Sequence, residues 1–312
     1  MQTGEIPKVF KTGILTPVHK KGTDSILPTN YRGITVTSAL GNVYEYALLD
    51  KMIDLNNNQS ELQFGFTQGL SPIMKKSTLI KKERTKTSKQ QHHISLEEKP
   101  IKEDQQTIHL SIIRASKNDL KLNIQEHVSV ATRTLYTLIS VGLNGQEGLN
   151  PITAYKIYQA YVLPRLLYGL EVLSLNATQM SDLEQFHLKT LRCFQSLPIR
   201  TSSAAVYMLI GALPIEAELH KRQLSLLYSI LASENTKLKN VMERQMTINA
   251  GNADSFFSRA QEILNFYNLP SIAEFKEHLP SKIQWKKDTN RSIAEKWTNL
   301  LKKQKKWKKN PH

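Results

Sequence analysis

The sequence predicts a mainly α-helical protein that carries a small α+β fragment at its N-terminus. Three observations lead there. From about residue 116 to 308, apolar side chains recur at helical spacing. Residues 1–72 instead alternate short β-branched runs with Gly, Pro and Asn, the pattern of strands and turns. Between the two, residues 73–106 are basic and polar with no steady period, which reads as a disordered basic linker.

Taken in order, Gly13–Val18 and Gly33–Thr37 are the expected strands of the first fragment. Ser38 then caps a helix to about Asn56, with Leu40, Val43, Tyr44, Ala47, Leu48 and Met52 at helical spacing. Gln63–Gly69 is loop-like. Past the linker, Ile108–Ile113 reads as one strand. Ser116 is placed to cap a helix to about Val141, with Leu120, Ile124, Val128, Ala131, Leu135 and Leu138 on one stripe. Gly142–Gly148 breaks it. Asn150 and Pro151 form an N-cap and a first-turn proline. The helix they start runs through Tyr161 and bends or ends at Pro164. Further helices are expected at about 178–196, 202–211, 214–233, 254–268 and 281–308. This organisation gives a helical region over 107–235 and a C-terminal helical extension over 236–312. Each fully buried Leu, Ile or Phe in such a bundle stabilises by ~1.5–3 kcal/mol, enough in sum for a core of its own.

The 312 residues are 40% hydrophobic, an ordinary globular value that argues against full disorder. Lys and Arg number 42 against 27 Asp and Glu, a net charge of +15. Such an excess favours a polyanionic partner, RNA or DNA, over a protein that is merely basic only when a site supports it. Cys193 is the sole cysteine, so no intrachain disulfide can form and no disulfide-linked partner is expected. It reads as a small core residue. The start lacks the basic and apolar regions of a signal peptide, and no apolar run approaches the ~18 residues of a membrane span. The expectation is an intracellular protein, cytoplasmic or nuclear, with no membrane partner. Gly-x-Ser-x-Gly, Walker A and Gly-x-Gly-x-x-Gly patterns are absent from the sequence, which removes sequence support for hydrolase, NTPase and dinucleotide chemistry.

Several blocks in order carry a resemblance. Gly13–Gly22 (GILTPVHKKG), Asn30–Ser38 (NYRGITVTS) and Gln63–Pro72 (QFGFTQGLSP) are followed by Thr107–Arg114 (TIHLSIIR). Ala131–Tyr136, Gly142–Gly145, Tyr161–Val172 and Gly211–Arg222 complete the series. Together they resemble the reverse transcriptases of non-LTR (LINE-like) retrotransposons. The resemblance implies that 1–72 is a fingers fragment and 107–235 a thumb-like helical bundle. It also implies a palm between Gln63–Pro72 and Thr107–Arg114. In the family that palm holds one Asp after an early strand and an Asp-Asp pair in a hairpin.

Polymerase chemistry needs two divalent ions, ~3.5–4 Å apart, to clamp the attacking and leaving oxygens. Carboxylates hold those ions because Mg²⁺ takes oxygen ligands. Here the interval is only Ile73–Ile108, and no Asp-Asp dipeptide occurs in the chain. Glu97-Glu98 and Glu103-Asp104 are adjacent acids, but they read as solvated linker charge. The family's metal ligands are thus missing, and no catalytic residue, cofactor or metal site is expected. The chain resembles an internally deleted, truncated element copy. One alternative is a helical protein-interaction module with a basic tail. Another is an RNA-directed DNA polymerase whose palm the gene model omitted.

The remaining candidates are for nucleic acid. Arg32 matches the arginine of the fingers block, and an Arg fork suits phosphate oxygens; with no palm for it to face, the reading to prefer is a solvated surface residue. Lys20 and Lys21 can line a phosphate track, with Lys11 and His19 nearby. Gln63, with Phe64 and Phe66, matches the template-contact block. The tail offers Lys302, Lys303, Lys305, Lys306, Lys308 and Lys309 with Trp307 among them. Lysines neutralise phosphates, and a Trp face stacks on a base for ~1–3 kcal/mol. The plain reading of the same segment is an amphipathic helix whose tryptophans pack on the bundle. In that reading Trp285 and Trp297 are core and Trp307 is exposed.

Overall fold

The computed structural model describes residues 13–20, 24–37, 41, 43, 95–96, 99–100, 106–109, 112–115, 118–143, 148–248 and 255–307. The described chain is mostly helical, with a small antiparallel sheet near the N-terminus. It divides into two units, Met1–Glu61 and Leu62–His312.

In the first unit β1 (Gly13–His19) pairs antiparallel with β2 (Tyr31–Thr37), from Gly13 opposite Thr37 to His19 opposite Tyr31. Both expected strands are present. The connection is held by short polar bonds. Asp24 Oδ1 accepts from the Ile26 amide at 2.9 Å, and Asn30 Nδ2 donates to the Asp24 carbonyl at 2.8 Å. The pairing puts Ile14, Val18, Ile34 and Val36 on one face with Thr16 and Arg32. All four apolar residues are exposed, and a two-stranded ribbon of this kind is marginal by itself. The expected helix from Ser38 to Asn56 lies outside the described residues except for Gly41 and Val43, which are helical. The loop expected at 63–69 lies outside them altogether.

In the second unit the described residues of the expected linker are not without order. β3 (Ser95–Leu96) pairs with β4 (Lys99–Pro100). A backbone pairing this short needs no apolar period, so the side-chain pattern gives no sign of it. The single strand expected over 108–113 is a hairpin instead: β5 (Gln106–His109) against β6 (Ile112–Ala115). Ile112 and Ile113 are buried and Ile108 is exposed, so the apolar run spans both arms. β6 is clamped to the first long helix by Asn123. Its Oδ1 accepts from the Ile113 amide at 2.8 Å, while Nδ2 donates to the Ile113 carbonyl at 2.8 Å and the Asp119 carbonyl at 2.7 Å.

That helix, α1 (Asp119–Ile139), starts at Asn118 rather than Ser116. Asn118 sits at φ 56°, a left-handed conformation that Asn tolerates better than most residues. The stripe is as expected: Ile124, Ala131 and Leu135 are buried, and Leu120, Val128 and Leu138 pack against the core. α2 (Pro151–Tyr161) has Asn150 Oδ1 accepting from the Ile152 amide at 2.9 Å, and Pro164 lies in the first turn of α3 (Leu163–Leu167).

α4 (Ala177–Phe194) opens with a capping box between Asn176 and Gln179. α5 (Ser203–Ile210) ends at Gly211, whose φ of 68° turns the chain toward α6 (Ile215–Leu231). α8 (Phe256–Phe266) and α10 (Lys282–Trp307) stand where the periodicity places them. The spacing does not mark α7 (Thr236–Ile248) or α9 (Ile272–Glu277), which bury only Leu238 and Met242, and Ile272 and Phe275. The core joins these helices through Tyr158, Leu166, Leu183, Phe194, Val206, Ile215 and Leu227, among others.

Cys193 corrects an expectation. It is exposed, not core. The inward stripe of α4 is Leu183, His187, Thr190, Leu191 and Phe194, and Cys193 is one residue, about 100°, away from Phe194. Among the described residues no helix is long and apolar enough to cross a membrane.

Candidate functional site

α10 has two unlike sides. Trp285, Thr289, Ile293, Trp297 and Leu301 recur every fourth residue and turn toward the bundle, where α10 meets α5 and α6. Trp285 is 3% exposed, with its ring 5.2 Å from Tyr228 and 4.6 Å from Phe275. Trp297 is half-buried, and its Nε1 donates to the Tyr267 hydroxyl at 2.8 Å. Both tryptophans therefore serve the bundle. Lys282, Lys286, Lys287, Arg291, Lys302 and Lys303 are exposed on the same helix. Local acids compensate little of this charge: Arg291 pairs with Asp288 at 3.1 Å. Lys296 is half-buried and lies 4.9 Å from the Phe266 ring centre.

The other candidates stand as follows. Lys302 and Lys303 are exposed on the last described turns of α10. The side chains of Lys305, Lys306 and Trp307 lie outside the described residues, although their backbone is helical. Lys308, Lys309, Lys21 and Gln63 lie wholly outside. In the first unit, Lys20 Nζ donates to the Thr29 carbonyl at 2.8 Å, so it helps close the β1–β2 connection. Arg32 is exposed in β2, opposite Val18.

A second polar region has no counterpart among the sequence candidates. It lies in the helical unit, around the N-termini of α4 and α6. Glu184 reaches across from α4, accepts from the Ile215 amide at 3.0 Å and accepts a short bond from the Tyr207 hydroxyl. It thereby caps α6, whose own N-cap is Pro214 and has no side-chain bond. Burial raises the Glu184 pKa, and the two hydrogen bonds oppose that. Burial and the Glu184 charge raise the Tyr207 hydroxyl far above its usual value.

Beside it, His187 is fully buried. Its Nε2 lies 3.0 Å from the Leu213 carbonyl, which can only accept, so Nε2 carries the proton. Nδ1 then accepts from the Tyr158 hydroxyl at 2.8 Å. Burial lowers the His187 pKa to about 4. With both nitrogens engaged, the ring is a structural lock rather than a proton shuttle. His220 follows the same logic, with Nδ1 2.8 Å from the Tyr267 hydroxyl and its pKa lowered to about 4 by burial and by the charge of Arg259. Glu216 Oε1 lies 3.9 Å from Nε2. A cavity of about 660 Å³ opens here, lined by Glu184, Tyr207, Glu216, Arg259 and Trp297 among others.

Glu184→Ala is expected to destabilise the protein by about 2–4 kcal/mol. It strands a buried amide and a buried hydroxyl, each worth roughly 1–3 kcal/mol when unpaired. Thermal melting against Glu184→Gln, which keeps an acceptor, checks this; equal losses would remove the capping role. Sequence reasoning misses the region because Glu184, Tyr207 and Leu213 are brought together only by the packing of three helices.

Among the described residues no group of three or more His, Cys, Asp or Glu side chains is arranged to hold a metal ion. No family model, curated protein or solved structure matches the chain.

Proposed function

We propose that the chain is a reverse-transcriptase-like protein of non-LTR retrotransposon origin. It lacks polymerase chemistry and grips nucleic-acid backbones without sequence preference. The origin rests on the ordered fingers and thumb-like blocks. The loss of chemistry rests on the short interval between Gln63–Pro72 and Thr107–Arg114 and on the absent Asp-Asp dipeptide. The observation that carries the binding reading is the division of α10. An apolar stripe fixes the helix to the bundle while Lys282, Lys286, Lys287, Arg291, Lys302 and Lys303 face solvent. Such a face attracts a line of phosphates through counterion release, with little need for base contacts.

The test is fluorescence anisotropy of the full chain with a labelled RNA–DNA primer-template, titrated across salt. Binding is expected to weaken steeply with salt. Replacing Lys302, Lys303, Lys305, Lys306, Lys308 and Lys309 by Glu is expected to remove most of it at moderate salt. Each lost phosphate contact makes the log–log slope shallower by roughly 0.7–0.9. Primer extension with Mg²⁺ and all four deoxynucleotides is expected to be absent. Absence of binding at low salt would overturn the backbone-gripping role. Extension would overturn the loss of chemistry.

A further inference from the structure

The solvent side of α10 does not end at the helix's own surface. Where α10 lies against α6, the two helices line an open cleft of about 330 Å³. From α6 come Glu218, Lys221, Arg222 and Ser225, at the i, i+3, i+4 and i+7 spacing of one helix face. From α10 come Trp285, Lys286, Thr289 and Asn290, again one face. Trp285 and Thr289 are buried, so they form the floor. The Thr289 hydroxyl is turned inward, donating to the Trp285 carbonyl at 2.7 Å. The rim carries the charge.

Three cations and one carboxylate line this cleft. Lys221 Nζ is 3.1 Å from Glu218 Oε1, so that pair is largely compensated. Arg222 is half-buried; burial lowers its pKa, while Glu171 and Glu218 draw it back up. Lys286 is exposed on the opposite wall, and Lys282 and Lys287 continue the basic surface along α10. A planar guanidinium from one helix and an ammonium from the other, with Ser225 and Asn290 also in the lining, suit a tetrahedral oxyanion.

We infer that the α6–α10 cleft is the seat of one backbone phosphodiester, held between Arg222 and Lys286, and that it sets where a nucleic acid enters the basic face of α10. This rests on the proposed backbone-gripping role and adds a fixed anchor to it. The tail lysines then supply long-range attraction, and the cleft supplies position. An acidic polypeptide is the competing occupant. Its carboxylates are spaced more irregularly than phosphates and lack the tetrahedral oxygens the two walls address.

The experiment compares three full-length proteins by anisotropy with the same primer-template across salt: the unaltered chain, Lys286→Gln together with Arg222→Gln, and Lys239→Gln. Lys239 is exposed on α7 and does not line the cleft. Lys286→Gln alone is also measured, because it changes only an exposed side chain, and thermal melting confirms that each protein is folded. The cleft pair is expected to bind several-fold to tenfold more weakly at low salt, with a log–log slope shallower by about 1, as loss of one phosphate contact requires. Lys286→Gln alone is expected to give part of that loss and Lys239→Gln almost none. If the unaltered chain binds and both cleft variants match Lys239→Gln, the cleft is overturned and the backbone-gripping role survives. If the unaltered chain does not bind at all, that role and the anchor fall together. If polyglutamate displaces the primer-template from the unaltered chain as well as an equal charge of unlabelled RNA does, the phosphodiester assignment is overturned in favour of an acidic protein.

Discussion

Trp285→Ala is expected to lower the unfolding free energy by about 3–5 kcal/mol, the usual range for removing a large aromatic from a packed site. The side chain is 3% exposed and wedged between the rings of Tyr228 and Phe275. Its loss opens a cavity and removes two aromatic contacts, each worth roughly 0.5–1.5 kcal/mol beyond area. The damage concentrates where α10 meets α6 and α9, so the C-terminal helix is expected to detach before the rest unfolds. Urea denaturation followed by far-UV circular dichroism reads the total, and hydrogen exchange reads the local loosening. Trp285→Phe retains most of the packing and is expected to cost less than half as much. A loss below about 1 kcal/mol for the alanine variant would mean that α10 is not anchored through this residue.

Acid is expected to weaken the protein by roughly 3 kcal/mol for each of His187 and His220 as the pH falls from 6.5 to about 4. Both histidines titrate near 6.5 in an unfolded chain and near 4 in the folded one. Between those values the unfolded state binds more protons, so stability falls with pH. The full contribution is present above 6.5 and is lost on the way down to 4. For His187 the cause is geometric as well as dielectric. Its Nδ1 must stay bare to accept from Tyr158, and protonation would set two hydrogens against each other inside the core. Glu184 acts in the opposite sense. Its raised pKa favours the folded state at low pH and is lost as pH rises through it, so it offsets part of the decline. Urea melts between pH 7.5 and 4.5 check this, with His187→Gln expected to flatten the profile. A wild-type profile already flat across that range would show that neither ring is held neutral by the fold.

The helical architecture is largely legible in the sequence because its causes are local. The stripe from Leu120 to Leu138, the Asn150–Pro151 start and the Pro164 break each depend on neighbours a few residues away. The first two strands are legible for the same reason. What escapes depends on groups distant in sequence. The hairpin at 106–115 is secured by Asn123 from the next helix, and no property of the apolar run itself shows where it folds back. Cys193 has a core-like composition but sits on the wrong side of α4. The α6–α10 cleft joins residues some 65 positions apart. Lys221 and Arg222 stand at the end of one sequence block and Lys286 in the basic tail, and only packing makes them neighbours. Glu184 reads from sequence as an ordinary helix-surface acid, yet it caps another helix.

The position of Cys193 has a practical consequence. It is the sole thiol in the chain, and it faces solvent on a helix whose opposite side is locked into the core. A maleimide dye or nitroxide spin label attached there would report from one defined point of a rigid scaffold, with no cysteine to delete and none to introduce. Paired with a fluorophore on an oligonucleotide end, it turns the native protein into a ruler for the polarity and register of any strand that docks on it.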